Sequence, residues 1–433
     1  MSSFADRIRG IVGGTSVSKG AAVSDPPGLP DPPAPPALSD LAAILGGEWR
    51  GGCFIVDRRW DRSALHGRER IGALAERLDR ASGEAPLFSN GSAARPPFVF
   101  FDLETTGLSG GAGTLAFLVG CGWFEQDGSF ATRQFLLARH ADERTLLEAV
   151  AAELARAGAL VSFNGKSFDA PLLEGRYLFH RLPWRGRELP HVDVLHPARR
   201  FWKEGSDGCS LQALEKQLIG LRRKGDIPGF EIPALYFRFV RGGHAAPLES
   251  VLEHNRLDLL TLAAITARLL HLARTGPAAI ADAREAVALG HVYARASRQV
   301  PDEAEYEARA RVCYRRALER CRSPRGAYDP VRIDALRAQA LACRRARLHD
   351  EAAAAWRELM EMRGCPPPIA REAAEALAIH HEHRVRDLES AKVFALQSLE
   401  RDSRPVLASA ARYRLDRLER KLEARGLKFE GEV

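Results

Sequence analysis

Two carboxylates separated by one residue, Asp102 and Glu104, are the first side chains in the sequence that point to a reaction. They end an apolar run, residues 98–103, that is typical of a strand buried on both faces. Residues two apart on a strand share a face, so both carboxylates leave the same side. Adjacent carboxylates repel each other and are costly to bury, and a bound divalent cation removes that cost. The alternative is a pair that faces solvent at the strand end.

Two later segments each place an aspartate on a predicted helix. Residues 163–171 contain an Asn-Gly turn, and Asp169 lies in the first turn of the helix that follows. His254 and Asp258 are four residues apart and therefore lie on one face of a long helix. Both have an ordinary structural interpretation as well. An acid at a helix N-terminus complements the helix dipole, and a His–Asp pair at this spacing forms an ion pair on a solvated face.

The glycine-rich turn over residues 105–113 matches neither of two common nucleotide-binding motifs. A phosphate-binding P-loop ends in Gly-Lys-Ser/Thr, and this turn contains no lysine. Gly111, Gly113 and Ala116 have the spacing of a dinucleotide-binding motif. The residues that follow, 115–124, read as a strand, whereas that motif requires a helix at this point.

Taken together, the three acidic segments resemble the DEDD (DnaQ-like) superfamily of 3′–5′ exonucleases. That superfamily has an Asp-x-Glu pair on its first strand, an Asp after an Asn-x-x-Phe-Asp-type segment, and a last Asp on a late helix after a His or Tyr. The matching residues here are Asp102, Glu104, Asp169 and Asp258, with His254 as the additional group. The interval from His254 to Asp258 is that of the tyrosine branch, one residue shorter than in the histidine branch.

A more specific resemblance is to the YprB-like ribonuclease H-like family, and it covers roughly residues 41–275. It implies an α/β ribonuclease H-like fold, and the helical tail also suits it. With the elements predicted below, the expected fold is a mixed five-stranded sheet flanked by helices, followed by an all-α helical-repeat domain. The segments that carry the resemblance are residues 191–196, 198–202, 209–211, 226–229, 232–233 and 254–255.

The resemblance implies hydrolysis of a phosphodiester bond at the end of a nucleic-acid strand, with two divalent ions, Mg²⁺ or Mn²⁺. Four carboxylates can hold two such hard cations through oxygen. Asp102 would bridge both ions, and His254 would take a proton from the attacking water. The residues that would hold the terminal nucleotide are Thr105, Thr106, Gly107 and Leu108.

Residues around these segments have two interpretations each. Asn164 and Lys166, beside Asp169, either contact phosphate or are a turn residue and a surface lysine. Asp193 shares a strand face with His191 and is a candidate supporting residue. A run of charged and aromatic residues either binds a single strand or belongs to an amphipathic helix that buries its aromatic rings; its members are Arg199, Arg200, Phe201, Trp202 and Lys203.

Hydrophobic periodicity predicts the elements that must position these residues. Strands followed by alternating helices predict a mixed α/β sheet. The predicted strands of this region cover residues 98–103, 115–124, 130–137, 160–163 and 191–195, and the predicted helices cover 142–157, 168–179 and 248–272. Further strand and helix segments are predicted at 53–56 and 71–78.

The chain divides into four predicted segments. Residues 1–40 are a disordered Pro-rich tether, 41–97 a lead-in that packs on the nuclease domain, 98–275 the ribonuclease H-like exonuclease domain, and 277–433 an α-helical domain. Three segments of the last domain, beginning at Ala310, Ala352 and Ala391, echo one another 42 and 39 residues apart. They resemble degenerate tetratricopeptide-type hairpins, whose period is nearer 34, and an α-solenoid-like array is the more general prediction.

Composition bounds the class of protein. The chain has 433 residues, of which 45% are apolar, so most of it is expected to fold. The net charge of +7 permits a nucleic-acid partner without requiring one. Seven scattered cysteines, none in C-x-x-C spacing, indicate reduced thiols rather than a disulfide framework or a zinc ribbon. No apolar run is long enough to span a membrane, and a cytoplasmic location is expected.

Two other functions fit the same sequence. One is a non-catalytic nucleic-acid-binding ribonuclease H-like module whose helical tail recruits a protein partner. The other makes the tail an adaptor, with the nuclease domain regulatory. The complete set of four carboxylates and His254 favours the enzyme. DNA and RNA both stay open as substrates, because the choice depends on how the site treats a 2′-hydroxyl.

Overall fold

The structure is a computed structural model that describes residues 38–89, 92–107, 113–203, 208–280, 282–299, 303–324, 326–400 and 405–430. The predicted tether over residues 1–40 lies outside them, apart from its last three residues, which begin a helix. All seven cysteines fall in the described ranges, and none of them is in a disulfide. Within these ranges, no helix combines the length and apolar character that crossing a membrane requires.

A seven-stranded mixed sheet forms the centre of the first half of the chain, in the order β1-β2-β7-β6-β5-β8-β9. The pairs β5–β8 and β8–β9 are parallel, and the other pairs are antiparallel. Strands β3 (Leu65–His66) and β4 (Glu69–Arg70) form a separate hairpin. The bounds of the sheet strands are β1 Glu48–Arg50, β2 Cys53–Trp60, β5 Phe98–Thr105, β6 Ala116–Phe124, β7 Phe130–Leu136, β8 Ala159–Ser162 and β9 His191–Asp193.

The prediction of a five-stranded sheet is therefore wrong in its count. All five predicted strands exist, but β1 and β2 of the lead-in extend the same sheet. β2 pairs with β7 along its length, from Phe54 opposite Leu136 to Trp60 opposite Phe130. Strand pairing between segments so far apart in the chain leaves no local pattern in the sequence, and for that reason the lead-in was expected only to pack on the domain.

Eight helices accompany the sheet in the described residues. The predicted helices at 71–78, 142–157, 168–179 and 248–272 are present with small shifts at their ends. The longest ends at Gly276, whose positive φ of 72° and following proline stop the helix. The bounds are α1 Leu38–Leu45, α2 Ile71–Ala81, α3 Glu143–Leu154, α4 Asp169–Phe179, α5 Leu195–Trp202, α6 Leu211–Leu214, α7 Ile232–Val240 and α8 Leu248–Thr275.

The side chains of β5 alternate between the two faces of the sheet, and this alternation determines which face bears the two carboxylates. Phe98 and Phe100 belong to the apolar cluster that includes α8 from Leu259 onward. Val99, Phe101 and Leu103 belong to the cluster on the other face. With a period of two, Asp102 and Glu104 continue the face of Phe98 and Phe100, so both carboxylates point toward α8.

The remainder of the described chain is helical. Each helix packs on the next one along the chain, which gives a stack of helical hairpins. Ala310, Ala352 and Ala391 are buried on the second helix of successive hairpins, as small residues at helix contacts should be. The tetratricopeptide label stays a prediction. The helices are α9 Ala283–Ala296, α10 Glu303–Arg320, α11 Pro330–Arg345, α12 His349–Glu361, α13 Pro367–His380, α14 Leu388–Glu400 and α15 Pro405–Glu430.

Candidate active site

A row of three residues across the sheet fixes helix α8 over the predicted acids. Asp102, Gly120 and Gln134 are paired neighbours on β5, β6 and β7. Asn255 of α8 is fully buried above this row: its Nδ2 donates to Asp102 Oδ2 at 2.9 Å, and its Oδ1 accepts from Gln134 Nε2 at 2.8 Å. A Cβ atom on Gly120 would lie 2.1 Å from Asn255 Oδ1. Glycine at this position therefore makes room for the contact.

His254 and Asp258 reach the same cleft from the same helix. His254 directly precedes Asn255, and Asp258 follows it by about one turn. His254 Nδ1 lies 2.8 Å from Asp226 Oδ1, and its Nε2 lies 3.6 Å from Asp258 Oδ2. The ring is thus oriented by a carboxylate on one side and faces the predicted metal ligand on the other. His254 is only 8% exposed, which excludes the solvated ion pair that its spacing also permitted.

A buried arginine that sequence reasoning missed holds this part of the site. Arg223 ion-pairs with Asp258 at 2.6 Å, with Glu215 at 2.8 Å and with Asp226 at 3.2 Å. Burial raises the pKa of Asp258, and the nearby charges of Arg223 and His254 partly offset that rise. The only sequence signal for this network was Asp226 within the family segment 226–229.

Asp169 is positioned by the turn that precedes α4. Asp193 Oδ1 accepts from the backbone N–H of Asn164 at 2.8 Å, and its Oδ2 accepts from that of Lys166 at 3.1 Å. Asn164 adopts a left-handed conformation with φ of 72°, and a Cβ on Gly165 would lie 2.9 Å from Asp169 Oδ2. Burial, followed by the charge of Asp193, raises the pKa of Asp169 to about 7.

Asp193 therefore holds this turn in place by accepting hydrogen bonds from two of its backbone N–H groups. Asn164 and Lys166 bind it through their backbone amides, which leaves their side chains available at the mouth of the turn. Burial lowers the pKa of Lys166, and the charge of Asp193 partly restores it. The structure brings both residues beside Asp169.

The four predicted acids interact electrostatically with one another. Burial raises the pKa of Asp102 and of Glu104 well above their ordinary values. The carboxylates of Asp258 and Asp169 raise both further. Four carboxylates that each oppose the ionisation of another form a site for positive charge.

The donor set suits hard divalent cations, which prefer carboxylate oxygens. Its geometry is not that of a ready-made metal site: among the described residues, no group of three or more His, Cys, Asp or Glu side chains is arranged to hold a metal ion. Arg223 supplies the positive charge at Asp258 instead. The residues thus fit a divalent cation by their chemistry, with Arg223 as a competing partner of one ligand.

The turn after β5 was expected to hold the terminal nucleotide. Thr106 is tied to Leu115 by two hydrogen bonds, and Thr105 Oγ1 donates to the carbonyl of Gly107 at 3.0 Å. These contacts place the start of the turn beside Glu104, next to a register shift in the β5–β6 pairing. Leu108 lies outside the described residues.

A cavity of ≈ 810 Å³ lies at the opposite end of β5 and contains none of the predicted residues. It is lined in part by Phe98, Phe100 and Trp123. Its walls combine apolar rings with charges of both signs, and no carboxylate of the cleft contributes to it. We therefore assign the chemistry to the acidic cleft and not to this cavity.

Comparison with known proteins agrees with this geometry. The sequence profile of the RNase_H superfamily matches residues 99–270. Those residues form a ribonuclease H-like domain. The chain is also 37% identical over 214 residues to YprB, an uncharacterized protein of Bacillus subtilis (strain 168). That match covers 48% of this chain and 51% of YprB, so it spans about half the length of the relative. The expected ribonuclease H-like fold and the likeness to YprB are confirmed over this part of the chain.

Proposed function

We propose that this chain is a metal-dependent 3′–5′ exonuclease that hydrolyses phosphodiester bonds at the end of a nucleic-acid strand. The observation that carries the proposal is the bond from Asn255 to Asp102. Because of it, Asp258 and His254 on α8 lie beside Asp102 and Glu104 on β5. The ribonuclease H-like domain supports a nucleic-acid substrate.

In this proposal Asp102, Glu104, Asp169 and Asp258 hold two divalent ions, Mg²⁺ or Mn²⁺. Bound ions of this kind stabilise the attacking and leaving oxygens of an in-line displacement. The chain's own contribution is to aim the carboxylates at one point. Asn255 holds Asp102 through the hydrogen bond at Oδ2, and Arg223 holds Asp258 through Oδ1.

His254 is the proposed general base. With Nδ1–H donated to Asp226, the ring presents an unprotonated Nε2 to the cleft and can accept a proton from water there. Asp226 fixes both the orientation and the tautomer of the ring, as the carboxylate does in other carboxylate–histidine pairs. The turn from Thr105 to Gly107, with Asn164 and Lys166, is the proposed contact for the terminal nucleotide.

Single-stranded DNA and RNA labelled at the 5′ end test this activity, because removal of 3′ nucleotides produces a ladder of shortened labelled products. We expect a ladder with Mg²⁺ or Mn²⁺ and none with EDTA. Asp102→Asn should abolish it, since a neutral amide cannot hold a divalent ion. The matched control is Asp79→Asn, an exposed acid on α2 away from the cleft, which should cleave at the parental rate.

A second measurement on Asp102→Asn shows that loss of activity is not loss of folding. In EDTA the variant should melt at the parental temperature or higher. It lacks one of several mutually repelling buried carboxylates, and its amide oxygen can still accept from Asn255. Mn²⁺ should raise the melting temperature of the parent but not of the variant. Parental cleavage by Asp102→Asn would contradict the proposal.

One observation favours the non-catalytic alternative: Arg223 already occupies a carboxylate oxygen of Asp258. A binding module that uses arginine in place of metal would show no calorimetric signal on titration with Mn²⁺ and no cleavage of either strand. It would still bind nucleic acid.

A further inference from the structure

The junction between the ribonuclease H-like domain and the helical tail is built on the aromatic residues of α5. Phe201 and Trp202 are 1% and 4% exposed. Trp202 Nε1 donates to Glu285 Oε1 on α9 at 2.7 Å. The aromatic rings of this segment therefore belong to the core, as an amphipathic helix requires, and cannot stack on bases. The arginines of the same helix lie on its outer face.

Those arginines line a groove of ≈ 470 Å³ between α5, α9 and α11. Its floor contains small apolar side chains, among them Val287 and Val331, and it has no Phe, Tyr or Trp in its lining. The charged and titratable residues of the lining are Arg199, Arg200, Arg284, His291 and Asp334. Arg295, at the end of α9, lies close to Arg200 and to Arg298, which is just beyond the helix.

The positive charge of this surface is not balanced. In the described part of the chain, no acid forms an ion pair with Arg199, Arg200, Arg295 or Arg298. Burial lowers the pKa of Arg295, and the charges of Arg200 and Arg298 lower it further. The one carboxylate in the lining, Asp334, lies 3.2 Å from His291. A group of arginines that repel one another on the surface is a site for an anion with several charges.

The groove is connected to the acidic cleft by a short rigid element. Leu195, the first residue of α5, donates its backbone N–H to Asp193 Oδ1 at 3.1 Å, and Asp193 clamps the turn before Asp169. The eight residues of α5 span about 12 Å. A nucleic-acid strand whose end lies in the cleft therefore needs only a few nucleotides to reach the arginines.

We propose that this groove binds the phosphodiester backbone of the strand whose 3′ end enters the cleft. The inference rests on the proposed function for the direction of the strand, but its binding prediction is independent of cleavage. Guanidinium groups pair with phosphate oxygens in a bidentate geometry, and several along one groove match a repeating anion. Because phosphate contacts carry no sequence information, recognition in this groove is through the backbone and is independent of sequence.

The test compares two double variants of the full-length protein that remove the same charge. Arg200→Gln with Arg295→Gln changes the groove, and Arg412→Gln with Arg420→Gln changes exposed arginines on α15. Fluorescence anisotropy in EDTA measures binding of single strands of about 4 and about 20 nucleotides over a range of salt. Each phosphate contact contributes roughly 0.7 to the slope of log affinity against log salt for a single strand.

We expect the groove variant to bind the longer strand at least about 10-fold more weakly, with a salt slope smaller by roughly 1.4. Its binding of the short strand should be unchanged, and the α15 variant should behave as the parent. Parental affinity and slope in the groove variant would overturn the proposal. A polyglutamate of matched length that binds the groove more tightly than the longer strand would also overturn it and would indicate an acidic protein partner.

The outcomes separate this proposal from the proposed function. Absence of cleavage by the parent, together with arginine-dependent binding of the longer strand, would refute the exonuclease and leave the groove. Normal cleavage, together with binding that does not depend on the groove arginines, would refute the groove and leave the exonuclease.

Discussion

At the scale of single residues, the candidate site depends on polar side chains that bind other side chains and take no part in chemistry themselves. Asn255 spans Asp102 and Gln134, Asp226 holds the ring of His254, and Arg223 joins three acids. A buried polar group without a partner costs free energy, so each of these groups must find its partner in the folded state. Their shared effect is to restrict the cleft to one arrangement.

His254→Ala tests the role of the histidine at this scale. If His254 is the general base, the single-turnover rate should fall on the order of 10² to 10⁴ while substrate affinity stays nearly unchanged. His254→Tyr should recover more activity than Ala does, because this spacing resembles that of the tyrosine branch of the exonuclease superfamily. His349→Ala, on the helical tail, is the control and should retain the parental rate.

A purely structural His254 gives a different pattern. Its hydrogen bond to Asp226 would then serve only to attach the loop that precedes α7 to helix α8. The alanine variant would melt at a lower temperature, and its rate per folded molecule would be that of the parent. Measuring melting temperature and rate on the same preparation distinguishes the two roles.

At the scale of elements, the contact between β6 and α8 sets the position of half the cleft. β6 is apolar along most of its length, but Gly120 interrupts it where Asn255 approaches. The absence of a side chain lets α8 lie close to the sheet. This close approach also sets the positions of Asp258 and His254, because both residues lie on the same rigid helix.

Gly120→Ala should therefore push α8 away from β5. We expect a loss of stability of about 1–3 kcal/mol, because backbone and side chain on both sides are packed, and a loss of activity larger than the fraction unfolded explains. The matched control is Gly175→Ala on α4, where a Cβ would meet no atom within 4 Å. It should stabilise the helix by roughly 0.5–1 kcal/mol. Equal and small effects of the two substitutions, measured by denaturant unfolding, would contradict this account.

A second contact between elements holds the last helix of the tail. Glu382 is buried between α13 and α15, and it accepts hydrogen bonds from Arg417 at 2.6 Å and from Lys421 at 2.8 Å. Burial raises its pKa, but Arg417 and Lys421 outweigh burial and lower the pKa to about 2. The folded state therefore favours the ionised carboxylate.

The pH dependence of this contact follows from the direction of the shift. Ionised Glu382 makes its full contribution to the free energy of unfolding above its ordinary pKa of about 4.5. That contribution is lost as the pH falls from 4.5 toward 2. Glu382→Gln should lower stability by about 2 kcal/mol at neutral pH, and its difference from the parent should shrink below pH of about 4.5. Glu419→Gln, which removes an exposed ion pair with Lys392, should have little effect at any pH. Thermal melting at a series of pH values measures both.

At the scale of the whole molecule, the hydrophobic core crosses the predicted domain boundary at residues 275–277. One continuous cluster contains Phe100 and Leu260 of the ribonuclease H-like domain together with Tyr293 and Tyr314 of the tail. Tyr293 Oη also donates to the carbonyl of Ala273 at 2.5 Å. The first tail helices therefore cover a face of the ribonuclease H-like domain.

A chain that ends after Thr275 should consequently lose stability. It exposes the apolar face that α9 and α10 cover, and we expect it to melt at least about 10 °C lower than the full chain or to aggregate. A chain that ends after Glu361 keeps those two helices and should retain the melting transition of the ribonuclease H-like domain. Parental melting of the shorter chain would show that the core does not depend on the tail.

The local elements were predictable, and the candidate site residues could be singled out, because both have local signals. The apolar run before Asp102, the Asn-Gly turn before Asp169 and the spacing of His254 and Asp258 each follow from a period of two or of 3.6 residues. The resemblance to the exonuclease superfamily then linked three segments that the periodicity could not link. The assignment of roles to these residues remains a prediction.

Sequence by itself determined which residues carry charge, which segments are strands or helices, and which acids share a face. Only the tertiary structure decided that β1 and β2 join the central sheet, that Asn255 fits above Gly120, and that Arg223 binds Asp258. These contacts join residues from 35 to more than 100 positions apart. Their free energy depends on shape and on desolvation at the point of contact, and neither quantity is encoded in the spacing of residues along the chain.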